Sequence, residues 1–139
     1  MTLKQLIYNI LEIAKEKPNI RTAKEGNVYD LNSMPDVEYN VFWLTQGQHR
    51  VDEQEITYNF NMFYISRLTD DFGNKVDIHS DGIVELTNII NTIVEELDCE
   101  VEYPLSFTTF NQRFLEECAG VFTSVNIVVN NDMGNCYWE

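Results

Sequence analysis

The run Glu55–Leu68 constrains this chain more than any other stretch. Ile56, Tyr58, Phe60, Met62 and Tyr64 alternate strictly with Thr57, Asn59 and Asn61. Side chains of a strand point to opposite faces in turn, so this pattern demands a long strand with one face on a core. A strand that long needs partners. Val37–Leu44 offers one, with Val37, Tyr39, Val41 and Trp43 alternating, and with Phe42 and Leu44 making its second face apolar near the end. The polar connector Thr45–Gln54 joins the two. The spacing predicts an antiparallel hairpin whose tip extends beyond the body.

Two segments carry helical rather than alternating spacing. In residues 2–16, Leu3, Leu6, Ile7, Ile10, Leu11 and Ala14 share one face, Thr2 can cap the start and Pro18 ends the run. After the turn Thr69–Lys75, Ser80 or Asp81 is the expected cap of a second helix. Ile83, Leu86, Ile89, Ile90, Ile93, Val94 and Leu97 form its stripe. Asp81 and Glu85 near its start suit the positive end of the helix dipole.

Residues 19–36 read as a loop or loose hairpin around a turn at Lys24-Glu25-Gly26-Asn27. Beyond the second helix the period returns to two. Val101 and Tyr103 alternate before Pro104, Ser106–Phe114 is aromatic and threonine-rich, and residues 115–120 form a bulge, wide turn or single helical turn. Val121, Thr123, Val125, Ile127 and Val129 make a last strand, and Asn130–Glu139 is left as a tail.

The expected order is αββαββ. Two amphipathic helices on one face of an antiparallel four-stranded sheet, with an extended β-hairpin, satisfy every apolar stripe. The 139 residues fit one α+β domain, 1–139, with 130–139 as an anchoring tail. A hydrophobic content of 44% is enough for a core.

Charge removes several function classes. The net charge is −14, from 23 acidic against 9 basic residues, and no basic stripe is present. Duplex DNA and anionic membranes both require cations to displace counterions, so neither is an expected binding target. No apolar run reaches membrane-spanning length, and no secretory signal pattern opens the chain. Cys99, Cys118 and Cys136 are odd in number and form no CxxC pair. They read as free, buried thiols in a reducing cytoplasm or a particle assembled there.

Catalytic and metal constellations fail on spacing. His49 and His79 stand thirty residues apart without a cysteine partner and read as surface or turn residues. Glu116 and Glu117 would raise, not lower, the pKa of Cys118, which argues against a nucleophile. Counted from Asp70, the sixth and twelfth positions of a calcium loop hold Lys75 and Asp81 instead of Gly and Glu. The six glycines build no phosphate loop. The expectation is therefore no catalytic residue, no cofactor and no metal.

Aromatic residues are the positive feature. Apolar side chains on both faces of Phe42–Leu44 and Met62–Ile65 imply that the second sheet face meets another subunit. Phe42, Trp43, Gln48, His49, Phe63 and Tyr64 are the candidate interface residues, with Tyr137 and Trp138 as anchors in the tail.

Three stretches, YNFNMFYISRLTDD, IHSDGIVELTNIINTIVEEL and FTTFNQRFLEECAGVFTSVNIVV, resemble small virion proteins of crAss-like phages that infect gut Bacteroidales. More remotely, they are similar to tail-completion and tail-terminator proteins of other tailed phages. The resemblance covers roughly residues 38–130; the terminal NNDMGNCYWE falls outside it. It implies a sheet flanked by helices and assembly into a closed homo-oligomeric ring in the virion neck or tail. Such a ring joins portal-side and tail-side proteins around a DNA channel. It carries over the strand Glu55–Leu68, the helix starting near Ser80-Asp81-Gly82 and the hairpin Phe107–Val129, and no catalytic residue. An acidic lumen would repel phosphates and let DNA slide. The acidity alone also fits a different class, an acidic host-directed inhibitor that mimics DNA and binds a basic protein with strong salt dependence.

Overall fold

A computed structural model describes residues 1–27, 30, 37–69, 73–113 and 117–131, with backbone only at Gln112 and Arg113. The elements, in chain order, are α1 Leu3–Lys15, β1 Thr22–Glu25, β2 Val41–Gln46, β3 Arg50–Val51, β4 Glu55–Arg67, α2 Lys75–Glu96, β5 Glu100–Val101, β6 Phe107–Arg113 and β7 Glu117–Asn130.

Helix α1 starts as its sequence requires. The Thr2 hydroxyl accepts the Gln5 backbone N–H at 3.2 Å, and the Gln5 side chain accepts the Thr2 N–H at 2.9 Å. This capping box satisfies two donors that have no partner inside the helix. Leu6, Ile10, Ile13 and Ala14 are buried.

Helix α2 starts at Lys75, earlier than Ser80 or Asp81. The apolar stripe runs back one further turn through Gly82 and Ile78, both buried, so packing extends the helix past its polar residues. Asn74, just before it, holds the end of β4. Its amide nitrogen donates to the Arg67 carbonyl at 3.1 Å and its oxygen accepts the Thr69 N–H at 2.9 Å. Ile83 and Val94, members of the expected stripe, lie on its flank, 39% and 38% exposed.

The sheet is mixed and seven-stranded, not antiparallel and four-stranded. Its path is β1-β2-β4-β7-β5, with β3 on β4 and β6 on β7. The first correction is β1. Residues assigned to a loop or loose hairpin form a short strand parallel to β2, from Thr22 opposite Val41 to Glu25 opposite Leu44. Four residues are too few for alternation to declare itself, and a parallel partner requires a crossover that carries no local signal. The second correction is the hairpin tip. β4 is laddered to β7 along its whole length, from Glu55 opposite Asn130 to Arg67 opposite Cys118, so it does not overhang the sheet. The long strand reflects an equally long partner. The turn before it is pinned by the Asp52 carboxylate, which accepts the Gln54 and Glu55 N–H groups at 2.9 and 2.7 Å. Asn131 reaches across and donates its backbone N–H to the Gln54 carbonyl at 2.9 Å. The third correction is Val37 and Tyr39, which precede β2 and pack against its outer face.

Both helices cover one face, as expected. Residues of α1 and α2 share a core with Phe42 and Leu44 of β2, Ile56 to Tyr64 at even positions of β4, and Val121, Val125, Ile127 and Val129 of β7. Gly82 brings α2 close to the sheet: a Cβ there would lie 2.8 Å from Val121 Cγ2 and 3.0 Å from Tyr64 Cδ1. Among the described residues no helix is long and apolar enough to cross a membrane.

Candidate interaction surfaces

Register decides what the other face of the sheet displays. Trp43 pairs with Phe63, Phe63 with Phe122, and Phe122 with Thr108, so these four lie in one row across β2, β4, β7 and β6. The adjoining row runs Val41, Ile65, Gly120, Phe110. Phe63 and Phe122 stack with ring centroids 5.2 Å apart, and Phe110 lies 6.2 Å from each. All three rings are half-buried. They form an aromatic patch that neither helix covers.

Beneath and beside it a small second core is closed. Val41, Trp43, Ile65 and Cys118 are buried, with Val37, Tyr39, Phe63 and Phe110 packed on them. The Trp43 indole N–H donates to the Gly26 carbonyl at 3.0 Å, tying the chain after β1 to this face.

The far half of the same face is polar. The Asn59 amide nitrogen donates to Asn126 Oδ1 at 2.8 Å and to Ser124 Oγ at 3.1 Å. His49 stands at its rim. Its Nδ1 accepts the Asn59 backbone N–H at 3.2 Å, Nε2 faces Gln46 Oε1 at 3.1 Å, and its ring meets Tyr58 edge-on at 5.4 Å. That geometry requires the tautomer with the proton on Nε2. His79 is half-buried on α2, with Nε2 3.3 Å from the Phe110 carbonyl of β6. Both histidines support strands rather than decorating turns.

The candidate interface residues therefore separate. Phe42 is fully buried, and Trp43 and Tyr64 are each 2% exposed, so these three serve the cores of their own chain. Burial, with Asp81 and Glu85 nearby, pushes the Tyr64 hydroxyl pKa up to about 12. Gln48 is exposed and His49 half-exposed at the polar rim, while Phe63 belongs to the aromatic patch. Tyr137, Trp138 and Cys136 lie outside the described residues, as do Asp70 and Asp71 of the rejected calcium loop. Phe110 and Phe122, which are not among the candidate interface residues, complete the patch with Phe63. The signal for Phe122 was its parity, out of phase with Val121, Thr123 and Val125.

Charge is distributed unevenly along the strands. At the β4 start, Glu55 shares a groove with Asp98 and Glu100. Glu95 and Glu96 sit in the last turn of α2, which holds no basic residue. Negative charge at the negative end of a helix dipole is unfavourable there. Cys99 lies in the same groove, and burial, then the Asp98 carboxylate, raise its thiol pKa. At the other end of β4, Arg21 and Arg67 line one pocket with Glu38, Tyr39, Asn40 and Ser66. Among the described residues no three His, Cys, Asp or Glu side chains converge as a metal site.

No protein-family model matches the chain, and no curated protein matches it. What the fold defines is an α+β protein whose sheet is closed by helices on one face and aromatic on part of the other.

Proposed function

We propose that this chain is a non-enzymatic structural subunit that assembles with copies of itself into a ring in the neck or tail of a tailed-phage virion. The ring would join portal-side and tail-side proteins around a channel for DNA. The observation that carries the self-assembly is the half-buried patch Phe63, Phe110 and Phe122 on the face that the helices leave open. Contiguous aromatic surface of this kind is what subunit contacts use. The phage setting rests on the resemblance of the three sequence stretches, and the net charge of −14 suits a lumen along which DNA slides.

Native mass of the purified protein, measured over a range of concentration, tests this reading. A closed species of many subunits supports it, and images of that species would give its symmetry. A monomer at every concentration and salt would overturn self-assembly. A second reading, an acidic module for a basic host protein, draws on the groove of Glu55, Asp98 and Glu100. It requires a monomer or dimer whose partner binding weakens steeply with salt.

A further inference from the structure

The sheet ends differently on its two sides. On one side β1 is a four-residue edge that includes Glu25. On the other, β5 and β6 share the far edge of β7, with β5 opposite Ile127 and Val128 and β6 opposite residues 117–123. β5 is two residues long and includes Glu100. β6 runs seven residues, Phe107–Arg113, about 23 Å at the rise of a strand. Among the described strands none pairs with its outer side. Alternate residues of such a strand point their N–H and C=O groups away from the single neighbour, so a row of donors and acceptors faces outward.

Edges of this kind are usually blunted by lysine, proline, charge pointing inward or a bulge. β6 contains no Asp, Glu, Lys or Pro, and its register with β7 is unbroken from Phe107 opposite Thr123 to Arg113 opposite Glu117. On its inner face Thr109 and Asn111 stand opposite the core residues Val121 and Ala119, yet both are exposed. Helix α2 stops short of them. His79 Nε2 lies 3.3 Å from the Phe110 carbonyl, and Val76 and Ile83, three residues before and four after it on the same flank, are exposed.

We propose that β6 pairs antiparallel with β6 of a second copy about a two-fold axis at Phe110, carrying the sheet from one chain into the next. The edge is complementary to itself. Pairing about Phe110 sets Thr109 of each copy opposite Asn111 of the other, so a hydroxyl meets an amide twice on the inner face. On the outer face Phe110 meets its own counterpart. The patch of Phe63, Phe122 and Phe110, which ends at β6 because the sheet ends there, then becomes one band across both chains. Charge points to the same occupant. A chain of net charge −14 repels its copies wherever carboxylates line the contact, and β6, unlike β1 and β5, carries none. Such an isologous contact closes on two copies. It goes beyond the ring reading and does not rest on it; where both contacts form, subunits of two rings are joined in pairs.

Charge placed on the edge tests the pairing. One variant carries Thr109→Glu with Asn111→Glu, the other Thr109→Lys with Asn111→Lys. Both positions are exposed, and circular dichroism checks that the variants remain folded. By sedimentation, each variant alone is expected to associate at least about tenfold more weakly than the parent, since like charges then face each other across the axis. An equal mixture is expected to regain association, as Glu meets Lys. Hydrogen exchange of the parent gives a readout that needs no variant: alternate amides of β6 slow as concentration rises. If the parent associates and neither variant changes its mass, the inference fails while the ring reading stands. Failure of the mixture to recover, or β6 amides that exchange at one rate while the mass rises, overturns pairing through this edge. A parent that stops at a dimer, which both variants abolish, upholds the pairing and overturns the ring. A parent monomeric at every concentration overturns both.

Discussion

The imidazole of His49 completes the ladder of β4: its Nδ1 accepts the backbone N–H of Asn59 at 3.2 Å, where a neighbouring strand would otherwise offer a carbonyl. The Asn59 carbonyl in turn accepts the Gly47 N–H at 2.8 Å, so residues 47 and 49 hold the end of β2 to β4 through one backbone and one side-chain bond.

Replacing His49 with Ala leaves the Asn59 N–H without its acceptor. The expected cost is about 1–2 kcal/mol, concentrated where β3 pairs with β4. Hydrogen exchange checks it: the Asn59 amide should exchange markedly faster while amides of the β4–β7 ladder keep their protection. Unchanged exchange at Asn59 would show that solvent or another group satisfies this amide.

Gly82→Ala sets two effects against each other. Alanine is favoured over glycine within a helix by about 1 kcal/mol. At this site its Cβ would meet Val121 Cγ2 at 2.8 Å, against a strand in the middle of the core. Overpacking of a close helix–sheet contact costs about 1–3 kcal/mol. We expect net destabilisation, read as a lower urea midpoint with an unchanged slope. A variant more stable than the parent would mean that α2 can shift away from β7 freely.

Trp43→Phe removes the N–H that ties Gly26 to the outer face and trims a buried ring. A loss of about 1–2 kcal/mol is expected in denaturant unfolding. Proteolysis should locate the weakening at Gly26, which the indole and the Gly26 N–H bond to the Leu44 carbonyl at 2.9 Å together hold to β2. Equal protease resistance in parent and variant would assign that hold to other contacts.

Alkaline stability should depend on Tyr64. Its folded pKa is pushed from about 10 to about 12, first by burial and then by Asp81 and Glu85. A raised pKa means that unfolding is favoured once the unfolded phenol ionises. Its contribution is therefore full below pH 10 and is lost as pH rises towards about 12. Tyr64→Phe should flatten part of that decline, measured as unfolding free energy against pH. Tyr58, raised in the same direction by burial, accounts for a remaining part. An identical decline in the variant would exclude Tyr64 as its source.

Phe122→Ser addresses the aromatic patch. The ring is half-buried and stacked on Phe63, so the monomer should remain folded with a modest loss of stability. If the patch is the subunit contact, native mass at a fixed concentration should fall towards the monomer. A native mass equal to the parent's would move the contact elsewhere on the surface.

Much of the local structure was written in the order of the residues. The spacing of Leu6, Ile10 and Ala14, with Thr2 ahead and Pro18 behind, determined α1 and its cap. The alternation from Ile56 to Tyr64 determined β4 and the side chains that it buries. These features depend on each residue's position along its own element, which periodicity records. The tertiary structure alone decided the rest. Thr22–Glu25 became a parallel strand because β2 lay beside it. Ile78 and Gly82 moved the start of α2, because packing on Val121 and Tyr64 outweighs a cap signal at Ser80. Trp43 and Tyr64 read as candidate interface residues, yet one closes the small outer core and the other the main one. Phe63, Phe110 and Phe122 form one patch through register, as Arg21 meets Arg67 and Glu55 meets Asp98 through strand order. Hydrophobic period sets which face a residue takes; long-range pairing sets what lies across from it.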